Sequence, residues 1–215
     1  MAQLPYIEPA EADPVTKAVY DKAVARFQMV LNIFKIIGNA PEIGSKMMEI
    51  FFEILKDGRV AWPTKELVIL KATKMGDCLY CVTQHEVVAE RLGVSPEKQA
   101  DIVGLQYRTS PHYTEAERAM LDLTSLVVLD PEQVSGETWA AVRKHFSDDQ
   151  IVEIVGTIGA YLQISKFGDA MGVELEPVFY GRDSVLFSRE APKSKAAARH
   201  IEHFKHLSAE SHGHA

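Results

Sequence analysis

The sequence feature that most constrains this chain is a cysteine pair, Cys78 and Cys81, followed by His85. These are the only two cysteines among the 215 residues. If the segment is helical, spacings of three and four residues place both sulfurs and the imidazole on one helix face. The pattern therefore predicts a cluster of reactive side chains along a single helix.

The stretch from Lys65 to Gly93 is predicted to form two helices with a break between them. Gly76 offers a stop for the first helix, and Asp77 is a suitable cap for the second. Cys78 would then lie in the first turn of the second helix, where unpaired backbone N–H groups and the positive end of the helix dipole favour a thiolate. We therefore expect the sulfurs to be more acidic than free cysteine.

A carboxylate is expected to complete the cluster. Glu66 lies twelve residues before Cys78, near the start of the first predicted helix, and the return of the chain would bring it back against the thiols. Glutamate, two cysteines and histidine are together the components of a proton relay that serves a nucleophilic sulfur.

The pattern E-x11-C-x2-C-x3-H resembles the core motif of the carboxymuconolactone decarboxylase and alkylhydroperoxidase D-like superfamily. The flanking sequence is also similar, with an apolar helix led by Glu-Leu before the cysteines and A-x-R-L-G-V-S after the histidine. The resemblance implies an all-α fold, an alkylhydroperoxidase D-like helical bundle that assembles as a homo-oligomer, a trimer or a hexamer.

The resemblance also implies roles for the residues of the motif. Cys81 would attack a hydroperoxide and Cys78 would resolve the sulfenic acid to a disulfide, with Glu66 and His85 at the relay positions. The peroxidase prototype has histidine between the cysteines, where this chain has Tyr80, a possible relay residue that can still pass a hydrogen bond. Dipole geometry alone favours Cys78 as the more acidic thiol, whereas the resemblance favours Cys81 as the nucleophile.

The function expected from the resemblance is that of an oxidoreductase. A thiol-dependent peroxidase would reduce organic hydroperoxides or hydrogen peroxide through a CxxC disulfide cycle and would use an external dithiol as reductant, with no cofactor and no metal. Two alternatives stay open: a lyase of the carboxymuconolactone decarboxylase type, and a non-enzymatic thiol redox sensor.

The cysteine pair also has two simpler interpretations. Zinc needs four ligands, and the chain has no second CxxC or CxxH pair, although Glu66 and His85 would complete a mixed site. Two buried and inert cysteines are the other interpretation, because free cysteine is often simply packed in a core.

Charge and hydropathy narrow the class of partner. The net charge of −7 and the pI near 5.6 argue against binding of nucleic acid. The N-terminus lacks the basic start and apolar run of a secretory signal, and the apolar stretch 151–164 is too short and broken for a membrane span. We therefore expect a cytoplasmic protein, in which a CxxC is more often redox-active or metal-binding than structural.

The chain is predicted to form one all-α domain over residues 1–190, followed by a polar His-rich tail at 191–215. The catalytic core would occupy about 40–105 and a degenerate second half about 113–175, with the polar stretch 106–112 as the candidate boundary. His200, His203 and His206 recur every three residues in the tail, which indicates either a weak metal chelator or a solvated end.

The second half resembles a degraded copy of the cysteine segment. Residues 148–174 share with 64–95 a polar start, an apolar run and a Gly-Val ending, but they contain no cysteine or histidine. If this is a repeat, one copy keeps the chemistry and the other serves packing. The apolar segment 177–188 that follows is expected to cover a neighbouring subunit.

Overall fold

A computed structural model of the chain describes residues 2–193, and all regular secondary structure in that range is helical. The predicted all-α fold is therefore confirmed. The predicted tail histidines, His200, His203 and His206, lie outside the described residues. The helices are α1 Pro14–Phe27, α2 Asn32–Ile37, α3 Pro41–Ile54, α4 Trp62–Met75, α5 Leu79–Arg91, α6 Pro96–Ala100, α7 Glu115–Leu129, α8 Gly136–Arg143, α9 Asp148–Met171 and α10 Val185–Arg189.

Local capping chemistry determines where several helices begin. The Asp13 side chain accepts the N–H groups of Val15 and Thr16 at the start of α1, and Pro14 occupies the first helical position. Thr114 and Glu117 form a reciprocal capping box at α7, and Ser147 and Gln150 form another at α9. These side chains satisfy N–H groups that would otherwise be unpaired, so the helix starts follow from short sequence signals.

The central helix of the bundle is α4, which packs against α5, α7 and α9. Ten consecutive residues, from Lys65 to Lys74, are buried. Ile69 belongs to an apolar cluster shared with α1, α2 and α3, whereas Leu67 and Leu70 belong to a second cluster shared with α7 and α8. Because α4 contributes to both clusters, it is the element on which the other helices are positioned.

The two helices predicted around the cysteines are present, but α4 starts earlier than expected. It begins at Trp62, three residues before the predicted stretch that starts at Lys65, because Pro63 lies in the first turn, where no N–H donor is needed. The Trp62 N–H binds Asp57 Oδ1 at 2.8 Å. The helix ends at Gly76, as predicted.

The predicted cap of α5 is wrong. Asp77 adopts a left-handed conformation with φ of 58°, and its Oδ2 accepts the Lys193 N–H at 2.6 Å. Cys78 is itself the N-cap, since its Sγ accepts the Cys81 N–H at 3.3 Å. The first cysteine therefore lies at the cap of α5 instead of within its first turn.

The stretch predicted as a candidate boundary is held against α7. Arg118 donates to the Tyr107 carbonyl at 3.3 Å and to the Ser110 carbonyl at 2.8 Å. The Tyr107 ring is fully buried, and its hydroxyl donates to Asp122 Oδ1 at 2.7 Å. The division of the domain into a core and a degenerate second half stays a prediction.

The apolar segment near the C-terminus packs in part on its own chain, and its expected contact with a neighbouring subunit stays a prediction. Leu186 is fully buried, and its N–H donates to Glu86 Oε1 at 2.8 Å. The Ser184 hydroxyl donates to the same oxygen at 2.9 Å. These bonds attach α10 to α5, while the predicted homo-oligomer stays a prediction.

Within the described range, every helix is too short or too polar to cross a lipid bilayer.

Glu86 makes the stability of the fold depend on pH. Burial raises the pKa of Glu86 to about 7 from an ordinary 4.5. Its folded pKa lies above its unfolded value, so its contribution to stability is complete below the unfolded pKa and is lost as the pH rises through about 7.

We expect Glu86→Gln to flatten this dependence, because glutamine keeps the acceptor oxygen without the buried charge. Between about pH 5 and about pH 8, the free energy of unfolding should fall less in the variant than in the wild type, by on the order of 2 kcal/mol. Denaturant unfolding at both pH values measures this, with exposed Glu90→Gln on the same helix as the control. Parallel pH dependences for wild type and Glu86→Gln would contradict it.

Candidate thiol site

The α4–α5 hairpin brings the four predicted site residues into two adjacent pairs. Glu66 Oε2 lies 2.7 Å from His85 Nδ1, because the two antiparallel helices return the chain on itself. The sulfurs of Cys78 and Cys81 are 2.8 Å apart as free thiols, with Cys78 donating to Cys81. Cys81 and His85 lie one turn apart on α5, so the thiol pair and the Glu-His pair share one helix face.

Trp62 anchors the Glu66 carboxylate, a contact that sequence reasoning missed. Its indole Nε1–H donates to Glu66 Oε1 at 2.6 Å, while the other oxygen of Glu66 faces His85. Glu66 is fully buried, so both of its oxygens need such partners. The signal was present in the four-residue spacing between the two side chains, which places them on one face of α4.

Both sulfurs are buried. Cys78 is 0% exposed and Cys81 is 5% exposed. Burial raises the pKa of the Cys78 thiol well above its ordinary value, and the hydrogen bond to Cys81 raises it further. The prediction that both sulfurs are unusually acidic is therefore wrong for Cys78, because desolvation outweighs the one backbone N–H that it accepts.

A small cavity of about 40 Å³ opens beside Cys81 and not beside Cys78. The cavity is large enough for a few water molecules and far smaller than the pockets that enclose drug-sized ligands. Apart from Cys81, its polar lining comes from Tyr80, Gln84, His85 and Tyr161. Its apolar lining comes from Leu31, Ile33, Phe34, Phe51, Leu55 and Ile164.

The second half of the chain contributes directly to the site, contrary to the hypothesis that it serves packing alone. The Tyr161 ring of α9 meets the His85 ring edge-to-face, with centroids 4.9 Å apart. Ser165 Oγ lies 3.5 Å from Cys81 Sγ. Sequence reasoning missed both residues because it searched the second half only for cysteine and histidine.

Tyr80, the possible relay residue, is directed to a second buried carboxylate and not to His85. Its hydroxyl donates to Glu176 Oε1 at 2.8 Å and accepts the Ile33 N–H at 3.2 Å. Gln84 donates to the other oxygen of Glu176 at 2.7 Å, and burial raises the pKa of Glu176. This network fixes one wall of the cavity, and nothing in the local sequence marked Glu176 as part of it.

The zinc interpretation fits this geometry poorly. Two sulfurs that each lie about 2.3 Å from a tetrahedral ion are about 3.8 Å apart, well beyond the 2.8 Å found here. Glu66 and His85 are bonded to each other instead of converging on the sulfurs. Over residues 2–193, no three histidine, cysteine or acidic side chains are grouped so that they could hold a metal ion.

Comparison with known proteins gives the same family as the motif. Residues 41–125, which include all four predicted site residues, match the model of the carboxymuconolactone decarboxylase family. The uncharacterized protein YdfG of Bacillus subtilis (strain 168) is 28% identical over 135 residues, which cover 62% of this chain and 89% of that protein.

Solved structures share the fold over most of the chain. The alkylhydroperoxidase AhpD core of a peroxidase-related protein from Ralstonia eutropha JMP134 superposes with a TM-score of 0.73 at 19% identity, covering 89% of this chain and 98% of that one. A cysteine-to-alanine variant of the debrominase Bmp8, in complex with 2,3,4-tribromopyrrole, superposes with a TM-score of 0.70 at 16% identity, covering 95% of this chain and 100% of that one.

The matched segment contains the motif glutamate, both cysteines and the histidine, and the helical fold extends the agreement to the rest of the described chain. Residues 41–125 are thus a carboxymuconolactone decarboxylase family segment, and the described chain shares its helical fold with the alkylhydroperoxidase AhpD core.

Proposed function

We propose that this chain is a thiol-dependent peroxidase that reduces hydrogen peroxide or a small organic hydroperoxide through a CxxC disulfide cycle. The observation that carries the proposal is the placement of the two sulfurs. Cys81 lines a small cavity together with His85, and Cys78 lies directly behind it at 2.8 Å. A nucleophile that faces substrate and a partner within bonding reach are what such a cycle requires.

The first step is attack by Cys81 on a hydroperoxide oxygen. The thiol proton passes to His85, whose Nδ1–H donates to buried Glu66 and leaves Nε2 as the base. An S–O bond forms and the O–O bond breaks, so that Cys81 is oxidised to sulfenic acid. The leaving alkoxide or hydroxide takes up a proton and departs as alcohol or water.

The second step closes the disulfide. Cys78 attacks the Cys81 sulfenic acid, the S–S bond forms, and hydroxide leaves with a proton as water. An external dithiol then returns both cysteines to thiols by exchange. The cycle suits a cytoplasmic protein, because the reducing pool of that compartment supplies the electrons.

The size of the cavity favours small substrates. A space of about 40 Å³ accepts hydrogen peroxide or a short hydroperoxide, whereas a bulkier one would have to displace Phe34, Phe51 or Leu55. We therefore propose that the rate of attack falls as the organic group of the hydroperoxide grows.

Replacement of each cysteine by serine should separate the two steps. Cys81→Ser should abolish hydroperoxide consumption, because a serine hydroxyl is not a comparable nucleophile. Cys78→Ser should consume one equivalent and then stop with a sulfenic acid on Cys81, which dimedone labelling and mass spectrometry detect. Unchanged turnover in both variants would contradict the proposal.

The same assays distinguish the alternative functions. A lyase acting on a muconolactone would use the Glu66–His85 relay without the thiols, so its activity would survive Cys81→Ser. A non-enzymatic redox sensor would form its disulfide rapidly and stoichiometrically but would turn over slowly with an added dithiol. Loss of two thiols per chain with sustained turnover supports the peroxidase.

Trp62→Phe should weaken the relay without touching the thiols. It removes the donor to a fully buried carboxylate oxygen, and an unsatisfied group of this kind costs about 1–3 kcal/mol. We expect the second-order rate of hydroperoxide consumption to fall by roughly tenfold, since a loss of 1.4 kcal/mol corresponds to that factor. Stopped-flow measurements test this, with Trp139→Phe on α8 as the matched control. Equal rates for the two variants would contradict a relay role for Trp62.

A further inference from the structure

The face that α9 presents to α5 carries three polar side chains at intervals of one helical turn. Tyr161 meets His85, and Ser165 lies 3.5 Å from the sulfur of Cys81. The residue numbers rise along α9 as they fall along α5, which is the register of an antiparallel helix pair. One turn beyond Ser165 on α9 is Asp169, and the next reactive group back along α5 is Cys78.

Asp169 does meet Cys78. The carboxylate of Asp169 interacts electrostatically with the Cys78 thiol, whose S–H is directed to the Cys81 sulfur. Cys78 is fully buried, so bulk water does not reach its proton. The Asp169 carboxylate is therefore a nearby acceptor for this proton within the protein.

We propose that Asp169 is the general base of the resolving step, taking the proton from Cys78 as that sulfur attacks the oxidised Cys81. This inference rests on the proposed peroxidase cycle. The Cys78 S–H bond breaks and its proton moves to Asp169, the S–S bond forms, and the S–O bond of Cys81 breaks. Hydroxide leaves and is protonated to water, and Asp169 later releases its proton to solvent.

The chemistry of the site supports a dedicated base for this sulfur. His85 is already paired with Glu66 and lies one turn beyond Cys81, away from Cys78. Burial raises the pKa of Cys78 well above its ordinary value, so few thiolates form without a base. Each sulfur would then have its own proton acceptor, and the two half-reactions could be impaired separately.

The surroundings of Asp169 suit a group that gains and loses a proton near neutral pH. Burial raises its pKa to about 6, and the interaction with the Cys78 thiol opposes this rise. The charged and titratable groups that face it among the described residues are Lys166 of α9, Asp77 of the α4–α5 link and Cys78 itself. Lys166 stabilises the carboxylate, whereas Asp77 disfavours it.

The test measures the rate of attack on peroxide and the rate of disulfide closure separately in Asp169→Asn. After one equivalent of hydrogen peroxide at neutral pH, the variant should form sulfenic acid as fast as the wild type and close its disulfide about 100-fold more slowly, the typical contribution of a general base. Rapid-quench dimedone trapping measures the first event and thiol titration the second. Disulfide closure at the wild-type rate would overturn the proposal.

Asp77→Asn is the matched control. Asp77 is the sequence neighbour of Cys78, but its carboxylate accepts the Lys193 N–H, and asparagine tolerates its positive φ. Closure in this variant should stay close to the wild-type rate. Equal slowing in Asp77→Asn and Asp169→Asn would mean that a local charge or packing change is responsible, and would overturn a specific role for Asp169.

The pH profile of the wild type gives a readout that does not depend on a folded variant. The rate of disulfide closure should fall as the pH drops through about 6, because protonated Asp169 no longer accepts the Cys78 proton. Asp169→Asn should lack this acid limb. A wild-type closure rate that is constant from about pH 5 to about pH 8 would overturn the proposal.

Failure of the peroxidase cycle is distinguishable from failure of this inference. If the chain consumes no hydroperoxide, diamide replaces it as the oxidant: Cys81 adds to diamide, and Cys78 displaces the resulting hydrazide to form the same disulfide. Slower closure in Asp169→Asn would still support the role of Asp169, and equal closure in wild type and variant would overturn it.

Discussion

The burial of the Glu66 carboxylate is the constraint on which the site depends. An ionised carboxylate in a protein interior is costly unless its oxygens are paired, and here one oxygen accepts from Trp62 and the other faces His85. Both partners must be held in position by packing, which α4 provides through its contacts with α5, α7 and α9. The orientation of the His85 ring thus follows from the way one buried carboxylate is satisfied inside the bundle.

Sequence reasoning predicted what depends on local signals. The all-α fold, the end of α4 and the return of Glu66 to the helix of His85 follow from Gly76 and from motif spacing. It was wrong about the acidity of Cys78, because burial depends on which helices cover the hairpin. Ser165, Asp169 and Glu176 reach the site from elements distant in sequence, and no local pattern marked them.

The arrangement of α9 changes the interpretation of the second half. Its sequence lacks the thiols and the imidazole of the first half, yet it supplies neighbours to three groups of the motif helix. A segment without cysteine or histidine can therefore still determine how reactive residues elsewhere behave. The influence of α9 on the site is indicated by the polar side chains on one of its faces more than by its similarity to the cysteine segment.

The sulfur of Cys78 caps the start of α5 as well as belonging to the cysteine pair, because it accepts the Cys81 N–H. With no exposed surface, it meets an outside reagent only when this part of the protein opens locally. In the proposed cycle, attack of a bulky electron donor on this sulfur would therefore be gated by local opening. In that regime, solvents or temperatures that loosen the helix end would speed recycling, although the intrinsic thiol chemistry is unchanged.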